Sequence, residues 1–190
     1  MSAITRHSSP VGLAHGARGH SGRFNLRRTN IVTNGGAETN LTGWPFGADT
    51  TLTRSQEQAV YGVSSFKLVA GTSGIARHPY TVTPLTTYTK QCQVFRTETA
   101  RAFTLQARNH DNTLDIASVV IPTVLGWNYV TLTYTTLAGQ TTGHFRLFGD
   151  NGGLVTLYMD GAQVEPGSIA TPYIHTDGAA KTRVATRHGG

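Results

Sequence analysis

The sequence predicts an all-β fold, an antiparallel β-sandwich, from three observations. From Ile31 onward the chain is a succession of short runs rich in Thr, Val, Tyr and Phe. These runs are cut by Gly, Pro and Asn-Gly or Asp-Asn-Gly turns, and no segment shows a capped amphipathic helix of ten or more residues. β-branched and aromatic side chains suit a pleated surface, and regularly spaced short strands of this kind close into a sandwich or jelly roll.

Taken in chain order, residues 1–28 read as an extended basic N-terminal arm. They hold Arg6, Arg18, Arg23, Arg27 and Arg28 with no acid, and their few apolar side chains follow neither a strand nor a helix period. Such a stretch cannot bury enough surface to order itself, so it is expected to be flexible alone and extended on a partner. The domain proper spans residues 29–176. Its clearest strands are 64–70, 88–95, 102–107, 116–121, 128–134, 144–148 and 154–159. In the run around Tyr129, alternation sets Val130, Leu132 and Tyr134 against Tyr129, Thr131 and Thr133, giving a core face and a Thr-covered face that suits a protein, a sugar or solvent. At the end of the last strand, Gln163 and Glu165 share a face, and Pro166-Gly167 stops it. Pro172 then fixes the approach of Tyr173 back onto the sandwich, so these four residues are read as a structural clasp. Residues 177–190 form a short C-terminal tail of the same character as the arm.

Charge separates the parts. The formal net charge is +6, yet residues 29–176 carry 8 basic against 9 acidic side chains, so the excess lies in the arms. Five arginines with only Phe24 interleaved suit acidic protein grooves through bidentate guanidinium geometry, and nucleic acid is not the expected partner. Cys92 is the only cysteine, which excludes an intrachain disulfide and a Cys-based metal cluster. The first residues lack a signal-peptide apolar run and no stretch approaches a membrane span, so a soluble protein made in a cytoplasm is expected.

Enzyme signatures are missing. There is no His-Glu-x-x-His, Gly-x-Ser-x-Gly or phosphate-cradling Gly-x-x-x-x-Gly-Lys, and the eight histidines are dispersed. Glu98, Asp111, Asp115, Asp150 and Glu165 could supply a carboxylate pair for glycoside cleavage, but Asp111, Asp115 and Asp150 flank or open turns whose bends their side chains stabilise. The chain is therefore read as non-enzymatic.

Two stretches carry a resemblance. Asp160-Gly-Ala-Gln-Val-Glu-Pro-Gly-Ser-Ile-Ala-Thr-Pro-Tyr-Ile-His-Thr176 and Asn30-Ile-Val-Thr-Asn-Gly-Gly-Ala-Glu-Thr-Asn-Leu-Thr-Gly-Trp44 resemble the closing and opening segments of the carbohydrate-binding-module-like (galactose-binding-like) jelly roll found in tailed-phage structural proteins. Gly126-Trp-Asn-Tyr-Val-Thr-Leu-Thr-Tyr134 matches its late strand; Ala37, Val164 and His175 depart from the pattern. The resemblance implies a jelly roll and a virion structural protein, most simply a head decoration or minor capsid protein held partly by its arm. Its implied partners are the major capsid protein and further copies of itself. The alternative is a glycan-binding module, for host adhesion on a tail or fibre or within a polysaccharide-degrading system. The resemblance also implies a structural calcium held by Glu38 and Asp160, with carbonyls near Thr33 and Asn34 completing the shell. Sugar binding would need exposed aromatic platforms, for which Trp44, Tyr61, Tyr80, Trp127 and Tyr129 are candidates; Trp44 and Trp127 coincide with positions that are core in the family.

Overall fold

The computed structural model describes residues 27–71, 75–149 and 153–183. Within them lie eleven strands and no helix: β1 Arg28–Asn30, β2 Thr50–Ser55, β3 Ser65–Ala70, β4 Ile75–Thr81, β5 Thr87–Arg96, β6 Phe103–Arg108, β7 Asp115–Val120, β8 Gly126–Thr135, β9 Thr142–Gly149, β10 Val155–Pro166 and β11 Lys181–Arg183. One antiparallel sheet runs β2-β3-β10-β5-β8, the second runs β4-β9-β6-β7, and β1 pairs with β11 as a short ribbon. The predicted antiparallel sandwich is the observed fold.

Side-chain alternation builds the layers. In β8 Val130, Leu132 and Tyr134 point inward while Tyr129, Thr131 and Thr133 face out. In β9 Phe145 and Leu147 are buried between outward His144, Arg146 and Phe148. Phe66, Leu68, Val94, Leu105, Leu157 and Met159 join them between the sheets. Each such side chain contributes about 1.5–3 kcal/mol by leaving water. Trp44 closes one end of this core, with its ring 4.6 Å from Phe66 and 5.7 Å from Phe145 and its indole N–H donating to the Thr33 carbonyl at 3.2 Å.

Four strands lie outside the runs picked from the sequence. β2 carries one apolar inward residue, Leu52, and β4 contains Pro79; both are edge strands, where a missing N–H or a thin apolar pattern is tolerated. The short β1 and β11 draw on the predicted arm and tail. Their register, Arg28 opposite Arg183 and Thr29 opposite Thr182, is supported by a hydroxyl–hydroxyl bond of 2.6 Å between the two threonines. The arm and tail therefore enter the fold at Arg28 and at residues 181–183, and Arg6, Arg18 and Arg23 lie outside the described residues.

Tyr88, Lys90, Cys92 and Val94 share the inward face of β5. Lys90 is fully buried, and its ammonium donates to the carbonyls of Gln106 at 2.9 Å and His144 at 2.5 Å. The rings of Tyr134, Tyr80 and Phe145 surround it at 5.0, 5.3 and 5.7 Å. Burial still holds its pKa well below the ordinary 10.5. The unfolded chain thus binds this proton more tightly, so the Lys90 contribution makes the fold more stable as pH rises from the depressed value toward 10.5. Lys90→Met keeps the volume and removes the charge. It is expected to raise the urea midpoint at about pH 7 and to flatten its rise as pH climbs toward 10.5. A fall in that midpoint would mean that the carbonyl and ring contacts outweigh desolvation.

Candidate functional site

The outward face of the five-stranded sheet collects aromatic and amide side chains in registered rows. Phe95 on β5 stands opposite Trp127 on β8 and Tyr158 on β10, with ring centroids 5.4 and 5.9 Å apart at steep angles. In the next row Gln93 lies between Tyr129 and Asp160, and in the next Gln91 lies between Thr131 and Gln163. Tyr129 is 53% exposed, and its hydroxyl donates to the Gln91 side-chain oxygen at 2.5 Å. Burial pushes the Tyr129 phenol above its ordinary value, which keeps this donor protonated. The Gln91 amide group in turn donates to the Thr171 carbonyl at 2.7 Å. Tyr61, Tyr129 and residues 170–173 thus wall a groove of about 360 Å³ floored by Gln91 and Gln93. Among the described residues nothing hydrogen-bonds the Gln93 carboxamide, which is half-buried on that floor.

One wall exists because of the chain that follows β10. Glu165, fully buried, accepts from the Thr171 N–H at 2.7 Å, the Thr171 hydroxyl at 2.9 Å and the Gln163 amide at 3.0 Å. Gln163 accepts the Ile174 N–H at 2.6 Å. These bonds lay residues 170–174 across the sheet and set the Tyr173 ring 4.6 Å from Tyr61. Buried Asn30 ties the start of the domain to the same place: its amide donates to the Ile174 and Ala162 carbonyls at 3.0 and 3.2 Å, and its oxygen accepts from Val32 and Val164 at 3.1 Å. Arg28 belongs to this clasp as well, donating to the Pro166 carbonyl with its Nε 4.0 Å from Glu165. Of the five arginines expected to reach a partner, Arg28 is therefore engaged inside the fold, while Arg27 is exposed at the first described position.

Glu38 and Asp160, the expected calcium ligands, hold the loop that carries Tyr61. Asp160 accepts from Val60 N–H at 2.7 Å and Tyr61 N–H at 2.8 Å on one oxygen and from Gly161 N–H at 2.6 Å on the other. Glu38 accepts from Val63 on both oxygens and from Ser64 on one, each at 3.2 Å. All four carboxylate oxygens thus face amide protons, whereas calcium takes six to eight oxygens whose lone pairs turn to the ion. Among the described residues no three His, Cys, Asp or Glu side chains gather to hold a metal. The arrangement does not fit a calcium cradle; it fits a loop anchor. Gly161, at φ +64°, is needed here because a Cβ would collide with the Tyr61 ring.

The five expected platforms divide, Tyr129 being the exposed one already placed on the groove wall. Trp44 and Tyr80 are 3% and 6% exposed and belong to the core, where the Tyr80 hydroxyl meets that of Tyr134 at 2.7 Å, so neither offers a face to a sugar. Tyr61 lines the groove, and Trp127 lies half-buried beside it on the outward face rather than in the core. Gln91, Gln93, Thr171 and Asn30 are the site residues that sequence reasoning passed over. The two-residue repeat of Gln91 and Gln93 beside an alternating apolar row was the signal available for the floor.

No protein-family model matches the sequence, and no curated protein matches it. Solved structures do match in fold. A family 16 carbohydrate-binding module is 22% identical with a TM-score of 0.59, covering 71% of this chain and 99% of that one. A family 61 module in complex with β-1,4-galactotriose is 14% identical with a TM-score of 0.52, covering 71% of this chain and 97% of that one. The enzymatically active domain of bacteriophage CBA120 tailspike protein 4 is 15% identical with a TM-score of 0.57; the match covers 72% of this chain and 21% of the tailspike. The fold is thus the carbohydrate-binding-module-like jelly roll. The expected role as a head decoration or minor capsid protein is corrected by the same finding: the similar structures are mostly carbohydrate-binding modules, and the phage protein among these three is a tailspike.

Burial, with the nearby Glu38 charge adding to it, pushes the Asp160 carboxyl up to about 6 from 3.8. Folding therefore takes up a proton between those values, and this group's contribution favours the fold below about pH 4 and is lost as pH rises through 6. A carbon-detected NMR titration is expected to place the Asp160 midpoint near 6, with the Val60 and Tyr61 amides shifting in step. A midpoint below the ordinary 3.8 would contradict the burial of this carboxylate.

Proposed function

We propose that the chain is a non-catalytic module that binds a neutral oligosaccharide in the groove between Tyr61, Tyr129 and residues 170–173. The observation that carries this reading is an exposed Tyr129 ring beside the free Gln93 carboxamide, both fixed on adjacent strands. Pyranose rings stack on aromatic faces while their hydroxyls seek polar groups at the ring edge, and this pair presents both. The groove volume of about 360 Å³ suits one or two sugar rings and falls in the range of small-ligand sites. Its lining side chains are phenols, carboxamides and small groups without charge, which supports a neutral ligand. Glycoside hydrolysis needs two carboxyl groups flanking the bond, and the lining has none, which supports binding over cleavage. The jelly-roll likeness, with one similar module complexed with β-1,4-galactotriose, makes β-1,4-linked glycans the first class to try.

Calorimetry against β-1,4-linked galactan, xylan and glucan oligosaccharides tests the proposal. One of them is expected to bind, with Tyr129→Ala lowering affinity about tenfold or more and Gln93→Ala by several-fold, through loss of a stacking face and of one hydrogen bond. Thr133→Ala, on the same outward face but outside the groove, is expected to leave affinity unchanged. Binding that survives Tyr129→Ala at full strength would remove the groove as its seat.

A further inference from the structure

The second sheet has an outward face of a different kind. Register places Arg77 of β4 directly opposite Arg146 of β9, with Gln106 of β6 on the other side of Arg146. In the neighbouring row His144 lies opposite Arg108, and Arg108 opposite Asp115. Directly opposed residues on neighbouring strands stand about 5 Å apart, and like charges so placed repel unless something between them is negative. Asp115 is the one carboxylate at the outward positions of these four strands among the described residues. It is already engaged, 3.0 Å from the Arg108 guanidinium and accepting from the Gln106 amide at 3.1 Å. That leaves Arg77 and Arg146 facing each other with no carboxylate in ion-pair contact among the described residues.

Two further observations point outward from this pair. The Arg146 guanidinium lies 4.5 Å from the centre of the Phe148 ring, so a flat cationic and aromatic surface is assembled in advance. Four buried polar atoms on the same face lack a protein partner: Thr104 Oγ1, Gln106 Oε1, Arg108 Nε and Arg146 Nε. Beside them Thr104, Gln106, Phe148 and Ala102 enclose a hollow of about 160 Å³. The orphan set contains guanidinium donors, an amide acceptor and a hydroxyl. A ligand that satisfies all of them offers anionic oxygens to the arginines and an O–H or N–H proton to Gln106, a pairing that carboxylates and hydroxyls on one sugar ring supply together. Polymers of uronic acids join carboxylates and hydroxyls on each ring, whereas an acidic peptide pairs its carboxylates with backbone N–H groups and few hydroxyls.

We infer that the outward face of the four-stranded sheet is a second glycan-binding surface, specific for a carboxylate-bearing polysaccharide, with Arg77 and Arg146 clamping the carboxylates and Gln106 and Thr104 reading hydroxyls. This surface is on the opposite side of the sandwich from the neutral groove and works without it. Guanidinium forks take carboxylates bidentately, and a chain whose charge repeats along its length engages both arginines at once.

Affinity electrophoresis of the full chain through gels containing polygalacturonate, fully methyl-esterified polygalacturonate or polyglutamate tests the inference. Retardation by polygalacturonate and not by its ester is expected. Arg77→Gln with Arg146→Gln should weaken it about tenfold or more while the melting temperature is kept, and Arg77→Lys with Arg146→Lys should give an intermediate value, because charge remains and the fork is lost. Tyr129→Ala should change nothing, which separates this surface from the groove. Absence of retardation, equal retardation of the double Gln variant, or polyglutamate binding as tight as polygalacturonate would each overturn it. The second of these outcomes would move polyanion binding to the arginines of the arm.

Discussion

The groove depends on one buried carboxylate. Glu165 has no exposed surface, and a charge in that position is tolerated only when its oxygens are matched by donors. The donors come from Thr171 and Gln163, with the Arg28 guanidinium 4.0 Å away adding its charge, so satisfying Glu165 obliges the chain after β10 to fold back over β10 instead of leaving the domain. Removing one member of such a set leaves the charge buried and uncompensated, at a cost of about 3–5 kcal/mol. Because Tyr173 belongs to that returning segment and packs against Tyr61, this wall of the groove is a consequence of the clasp and not of the segment's own preference. Asn30 extends the constraint to the front of the domain, so the first and last described strands close on the same network.

Glu38 and Asp160 repeat the logic on the other side of the groove. In each case a carboxylate gathers backbone N–H groups of a loop that has no regular hydrogen bonding of its own, and the loop then presents Tyr61. Loops so anchored lose little further freedom when a ligand arrives, which favours affinity at a given contact area. The two outward faces of the sandwich have thereby diverged. One carries phenols and carboxamides shaped by these anchors, and the other carries guanidiniums set by strand register alone.

The strands with strong alternation were legible because a two-residue period runs through β8 and β9 and through β10 up to its bulge after Asp160. β2 and β4 were not, since edge strands need only one paired side and their sequences, Thr-Thr-Leu-Thr-Arg-Ser and Ile-Ala-Arg-His-Pro-Tyr-Thr, look like loops. The end of the last strand could be read because proline and glycine punctuate its exit. The groove floor was not legible: Gln91 and Gln93 become a floor only through the register of β5 with β8 and β10, which local sequence does not encode. The same holds for Trp127, whose side of the sheet follows from its pairing with Phe95, and for Arg77 and Arg146, which are distant in sequence and meet across a strand pair. The resemblance, not the local sequence, suggested Glu38 and Asp160 as cation ligands, and the backbone amides that their oxygens accept from are invisible to side-chain motifs.

The most direct test of this account is amide hydrogen exchange at Thr171 and Ile174, the two N–H groups held by the clasp, in the wild-type chain and in Glu165→Gln. Slow exchange in the wild type that becomes fast in the variant, while amides of β5 and β9 stay protected, is the predicted result: the wall opens and the sandwich remains. Unprotected Thr171 and Ile174 amides in the wild type would mean that the segment is not held, and the groove as described would have no wall.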